Sequence, residues 1–224
     1  MMVHIDKLLS PEQLQQIHDL LQEGNFIDGR LTAGTFAKIV KHNNQLDGST
    51  DIAHQIQTIV HEAITENDLF QAVAYPKAIR PCLVSRYTAG MAYGWHTDNA
   101  IMGQGAHLNR SDLSFTLFLS DPETYEGGEL VLDTDGGEQK IKLAAGAMIL
   151  YPATYLHQVT AVTAGERLAA VGWVQSLVRD AQHRTILFEL DTARRSLFAK
   201  YGKTAEFDLI SKNHANLLRQ WAEV

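Results

Sequence analysis

The chain is poor in cysteine, in cationic charge and in long apolar runs, and each shortage excludes something. Its one cysteine, Cys82, cannot close an intrachain disulfide or build a cysteine-rich zinc or iron–sulfur site. Any metal must therefore be held by histidines and carboxylates. The 19 Lys and Arg against 26 Asp and Glu leave a formal charge of −7 over 224 residues, which argues against broad attraction to nucleic acid. No apolar stretch is long enough to cross a bilayer. Met1-Met2-Val3-His4-Ile5-Asp6-Lys7 lacks the basic segment and apolar run of a secretory signal. The expectation is a cytoplasmic protein whose Asn109-Arg110-Ser111 matches a glycosylation acceptor by accident. Neither a Gly-x-Ser-x-Gly elbow nor a Gly-x-x-x-x-Gly-Lys loop occurs, and Cys82 has no nucleophile context. Internal repeats and proline-rich linkers are missing too, so one catalytic unit with helical flanks is expected.

What is present falls into three stretches. Ser10-Pro11-Glu12-Gln13 carries the signals of a helix start, a capping serine, proline at the first helical position and a glutamine to complete a capping box. A second amphipathic helix is predicted near residues 51–66, with Ile52, Ile56, Ile59, Val60, Ala63 and Ile64 on one face. His54 and His61 on it lie two turns apart, too far for one metal, and read as surface or packing residues. From about residue 78 short β-like runs follow one another without intervening helices, among them Cys82–Tyr87, Leu113–Leu119, Leu156–Val162 and Arg167–Leu177. That succession implies an antiparallel sandwich or barrel. Beyond about residue 180 the period is helical again, in two stripes separated by Gly202. The predicted division is an N-terminal helical region over 1–77, a β domain over 78–177 and a C-terminal helical extension over 178–224, an α+β class.

Within the β region, Tyr93-Gly94-Trp95-His96-Thr97-Asp98 contains His-x-Asp. Residues two apart on an extended segment point the same way, so His96 and Asp98 can offer a nitrogen and a carboxylate oxygen to one ion. His157, in a later β-like run, supplies a second imidazole. Two histidines and a carboxylate occupy one face of an octahedral iron(II) and leave three positions open. A 2-oxoglutarate molecule fills two of these and O₂ the third. The far carboxylate of 2-oxoglutarate then needs a fixed cation, and Arg167, ten positions after His157, is the candidate. If the two strands form a hairpin, His157 and Arg167 face one interior only when Thr163 pairs with Arg167, which predicts an odd-length or bulged turn at Ala164–Glu166.

His96-x-Asp98, His157 and Arg167 together resemble the signature of the prolyl and lysyl hydroxylase branch of the iron(II)/2-oxoglutarate dioxygenases. Arg86-Tyr87-Thr88-Ala89-Gly90 resembles the family's tyrosine-containing strand, and Glu126-Gly127-Gly128-Glu129-Leu130 its recurrent turn. The whole chain looks like the bacterial PKHD-type hydroxylases. The resemblance implies a double-stranded β-helix (jelly-roll) core with N-terminal and C-terminal helices packed on it. It also implies Fe(II), 2-oxoglutarate and O₂ as metal and cosubstrates, L-ascorbate as a reductant, and hydroxylation of an unactivated C–H bond coupled to conversion of 2-oxoglutarate to succinate and CO₂. Tyr87 carries over as a hydroxyl donor to the cosubstrate. The family's further tyrosine is replaced here by Phe118, so Ser114 or Thr116 is left to supply that hydroxyl. Tyr93 is a candidate for cosubstrate or substrate contact. The substrate is expected to be a small molecule or a peptidyl side chain. The C-terminal helices suit either capping their own barrel or bridging two copies of the chain. Two other readings share the ligand set: a cupin-type oxygenase without 2-oxoglutarate, and a noncatalytic sensor of iron or 2-oxoglutarate.

Overall fold

The computed structural model describes residues 1–105 and 108–224. The N-terminal part interleaves short strands and helices: β1 (Val3–Ile5), α1 (Pro11–Gln22), β2 (Phe26–Asp28), α2 (Ala37–Val40), β3 (Lys41–His42), β4 (Asn44–Leu46), α3 (Asp51–Glu66) and α4 (Asp68–Ala74). The strand-rich part follows with β5 (Pro76–Ile79), β6 (Leu83–Tyr87), β7 (Ala92–His96), β8 (Ile101–Met102), β9 (Asn109–Arg110), β10 (Leu113–Phe118), β11 (Tyr125–Gly127), β12 (Leu130–Thr134) and β13 (Gly137–Ile141). It continues through β14 (Met148–Pro152), β15 (Leu156–Val159), β16 (Val162–Gly165) and β17 (Arg167–Ser176), and the chain closes with α5 (Ala181–Tyr201) and α6 (Ala205–Trp221).

The larger sheet runs β1-β14-β10-β17-β6-β4-β2, with β5 also paired to β17, and the smaller runs β13-β12-β15-β7-β3. Every pairing in the two sheets is antiparallel. Together they form the double-stranded β-helix. Strand β10 shows how its alternation divides the molecule, because all six of its residues are buried. Leu113, Phe115 and Leu117 pack against the helical layer of Ile17, Ile56, Ile64 and Phe70. Phe118, on the opposite face, packs with Leu130, Leu132, Ile149 and Tyr151 between the sheets. Burial of each such large apolar side chain contributes about 2 kcal/mol, so the helices stabilise the outer face of the sheet whose inner face carries chemistry.

The local signals at the first helix hold. The Ser10 side chain accepts from the Gln13 amide at 3.2 Å, while the Gln13 side chain accepts from the Ser10 amide at 2.9 Å. At the other end α5 and α6 pack as a pair joined through Gly202 (φ 69°). They are tied to the core by the Val178–Ala222 bridge and by Tyr75 Oη to His214 Nε2 at 3.0 Å.

One expectation is corrected. The strands of His157 and Arg167 do not form a hairpin, and Thr163 does not oppose Arg167. Strand β15 lies in the smaller sheet between β12 and β7, whereas β17 lies in the larger sheet between β10 and β6. The segment between them is a strand of its own, β16, paired with β11 and ending at Gly165 (φ 75°). A glycine is required there, since a Cβ would lie 2.2 Å from the Thr124 carbonyl oxygen. His157 and Arg167 therefore reach a common interior from two facing sheets rather than along one ribbon.

Candidate active site

His96 ends β7 and His157 stands directly opposite it on β15. Asp98 follows two residues beyond the strand end. Ligand atoms of the three lie within 4.8 Å of one another, and His157 Nε2 is 3.9 Å from Asp98 Oδ2. Each imidazole is fixed by its own strand: His96 Nδ1 donates to the Gly94 carbonyl at 2.8 Å and His157 Nδ1 to the Tyr155 carbonyl at 3.0 Å. A carbonyl can only accept, so the proton sits on Nδ1 and the Nε2 lone pair is free. Burial, and next the neighbouring His157, push His96 down to about 4, which keeps its imidazole neutral at neutral pH. Ser114 Oγ donates to Asp98 Oδ2 at 2.6 Å and fixes the carboxylate. The Tyr93 ring stacks on His96 with centroids 3.5 Å apart. Two imidazole nitrogens and one oriented carboxylate gathered on one side suit a divalent iron with open positions.

The triad opens on a cavity of about 440 Å³ between the sheets, which also contains Tyr87 and Arg167. The structure thus brings His96, Asp98, His157, Tyr87 and Arg167 to one cavity, which the further candidates Tyr93, Ser114 and Thr116 also line. His54 and His61 lie elsewhere, exposed on α3. Arg167 is 1% exposed, and its guanidinium lies 5.2 Å from the Tyr87 ring centroid and 5.5 Å from that of Phe118. Among the described residues its Nε has no hydrogen-bond partner, nor has the buried Tyr125 hydroxyl. A buried cation with an unused donor costs several kcal/mol unless an anion meets it. Burial raises the Tyr87 phenol above its usual range, with Arg167 opposing, so the hydroxyl stays protonated and able to donate. Phe118 lies against the guanidinium as an apolar wall. Ser114 is engaged with Asp98, and Thr116 lies beside Tyr151.

The glycine turn has a specific role in this arrangement. Gly128 has φ 67°, and a Cβ on it would stand 2.9 Å from both Arg167 Cδ and Val162 Cγ2. Gly128→Ala combines left-handed strain with displacement of the arginine, a cost of about 1–3 kcal/mol. Isothermal titration should show 2-oxoglutarate binding weakened by at least about tenfold. Metal binding by the same protein should be unchanged.

Several cavity residues carried no signal in the sequence. Lys41, Gln45 and Arg80 come from the N-terminal part and the β5–β6 connection, and Tyr151 from β14. Tyr151 is buried edge-on to His157, with centroids 5.6 Å apart, and burial raises its phenol strongly. It ends an apolar run that reads as ordinary core. Lys41 sits on a two-residue strand too short to show alternation, and only pairing with Tyr93 of β7 defines it.

Residues 82–175 match a family model described as the 2OG-Fe(II) oxygenase superfamily, and residues 180–223 match one described as the PKHD-type hydroxylase C-terminal domain. A PKHD-type hydroxylase of Thermosynechococcus vestitus is 56% identical over 224 residues, covering 100% of both chains. Among solved structures, a Trichoplax adhaerens prolyl hydroxylase in complex with a hypoxia inducible factor peptide fragment overlays with TM-score 0.56 at 18% identity, covering 83% of this chain and 86% of that one. A Pseudomonas putida prolyl-4-hydroxylase overlays with TM-score 0.52 at 18% identity, covering 78% and 92%. These two structural likenesses are likenesses of fold.

Proposed function

Since the chain belongs to the PKHD-type hydroxylase family of 2-oxoglutarate- and iron(II)-dependent oxygenases, we propose that it hydroxylates an unactivated C–H bond of a small-molecule or peptidyl substrate, with His96, Asp98 and His157 holding the iron. The family uses Fe(II), 2-oxoglutarate and O₂, with L-ascorbate as its typical reductant. No described helix is long and apolar enough to cross a membrane. The catalytic unit in this reading is residues 78–177, supported by 1–77 and 178–224.

When bound, iron and 2-oxoglutarate supply the oxidising chemistry: substrate, O₂ and 2-oxoglutarate give hydroxylated substrate, succinate and CO₂. The chain's own residues bind and orient. His96 and His157 present Nε2 lone pairs held by their Nδ1 hydrogen bonds, and Asp98 presents an oxygen aligned by Ser114. Arg167 receives the far carboxylate of 2-oxoglutarate, and the Tyr87 hydroxyl donates to it. The inward face of β10 and β14 excludes water from this end of the cavity.

The observation that carries the reading is the buried, unsatisfied Arg167 guanidinium opening on the same cavity as the triad. Anaerobic Fe(II)-loaded protein should bind 2-oxoglutarate in calorimetry and release succinate when air is admitted. Absence of 2-oxoglutarate binding would leave a cupin-type oxygenase. Tight binding with no succinate, alone or with any candidate substrate, would make the protein a sensor.

A further inference from the structure

In a chain of net charge −7, the charged residues among those described around the cavity are Lys41, Arg80, Arg167 and a single carboxylate, Asp98. None of the three cations forms an ion pair among the described residues. On the functional reading above, iron(II) with Asp98 carries one net positive charge and Arg167 another. Dianionic 2-oxoglutarate neutralises both, and Lys41 and Arg80 remain.

Lys41 is built in rather than incidental. It is 6% exposed, and its Nζ donates to Thr32 Oγ1 at 3.0 Å. The Thr32 hydroxyl donates onward to the Gln45 side-chain oxygen, and Gln45 Nε2 donates to Ser85 Oγ at 3.1 Å. The ammonium also lies 5.2 Å from the centroid of Tyr93, the ring that stacks on His96. One of its three protons is thereby used and the Tyr93 face takes a share of the charge. Burial lowers Lys41 to about 8, with Asp98 opposing. Arg80 is less enclosed, and among the described residues Nη1 reaches only Asn109 Oδ1, at 3.3 Å. A desolvated, pre-oriented ammonium with free protons, one ring away from the metal triad, is disposed to receive an anion.

We propose that the substrate is a small carboxylic acid whose carboxylate is received by Lys41, with Arg80 adding long-range attraction, so that the triad acts on carbon at a fixed reach from that carboxylate. This rests on the function proposed above. Lys41 determines specificity, while Arg167 remains the cosubstrate's cation.

The test is calorimetry on the anaerobic Fe(II) protein already saturated with 2-oxoglutarate, so that Arg167 is occupied. The probes are N-acetyl derivatives of proline, lysine, leucine and phenylalanine as free acids and as the matching amides. Acids are expected to bind at least about tenfold more tightly than their amides, as a charge-assisted contact implies. Lys41→Met should remove that preference while 2-oxoglutarate affinity stays within about twofold, which also shows that the variant is folded. The proposal is overturned by equal binding of acids and amides, by binding of neither, or by a Lys41→Met loss that falls on 2-oxoglutarate instead. Failure of the underlying function is read separately, because it appears in the first titration as absence of 2-oxoglutarate uptake.

Discussion

Arg167→Met is expected to weaken 2-oxoglutarate binding on the order of a hundredfold while raising the melting temperature of the metal-free protein. The first effect follows from removing one partner of a desolvated charge pair, which costs about 2–5 kcal/mol, and each 1.4 kcal/mol is about tenfold in affinity. The second has the opposite sign. In the ligand-free chain the guanidinium is buried between Tyr87 and Phe118 with its Nε unpaired. An apolar side chain of similar length relieves that penalty and packs against the same rings. A gain of about 1 kcal/mol corresponds to a rise of roughly 2–4 °C for a domain of this size. Iron affinity should be unaltered, because among the described residues Arg167 forms no hydrogen bond or ion pair with the three candidate ligands. Calorimetric titration and a thermal melt read the two effects independently. A purely structural arginine would give a lower melting temperature and unchanged 2-oxoglutarate binding, and that pair of results would remove the residue from the site.

Asp98→Ala is expected to abolish Fe(II) retention and, with it, succinate release. Asp98 is the one carboxylate among the described residues lining the cavity, and without it the remaining donors are two imidazoles. Losing a desolvated charge–charge interaction of about 3–5 kcal/mol lowers metal affinity on the order of a thousandfold. Competition with a chromogenic chelator measures this. Ser114→Ala, which removes only the 2.6 Å hydrogen bond to the carboxylate, should cost a smaller factor, about tenfold. If Asp98→Ala bound iron as tightly as the unaltered protein, the ligand set would have to be drawn elsewhere.

The candidate site residues could be named from the sequence because His-x-Asp follows a local rule and His157, Arg167 and Tyr87 fit a family pattern around it. His96 and Asp98 share a side by the period of two, and His157 and Arg167 fall in strongly β-like runs. The route by which they meet was not legible. A short turn-rich stretch between two strands reads as a hairpin, yet β15 and β17 find partners distant in sequence, in β7 and β12 on one side and β6 and β10 on the other. Such pairings are decided by how whole faces bury, which no short window contains. Lys41 illustrates the same limit more sharply, since its strand is two residues long and exists only through Tyr93 and Ala92. Phe118 was visible as a departure from the family pattern, but its place against the Arg167 guanidinium required the structure.

The hydrogen bonds from His96 Nδ1 to Gly94 and from His157 Nδ1 to Tyr155 are each made within two residues of the ligand itself. Both imidazoles are thus aimed by nearby backbone rather than by each other or by Asp98. On the proposed function, protein stripped of iron by a chelator is therefore expected to take the ion up again without refolding, which circular dichroism before and after reloading would check.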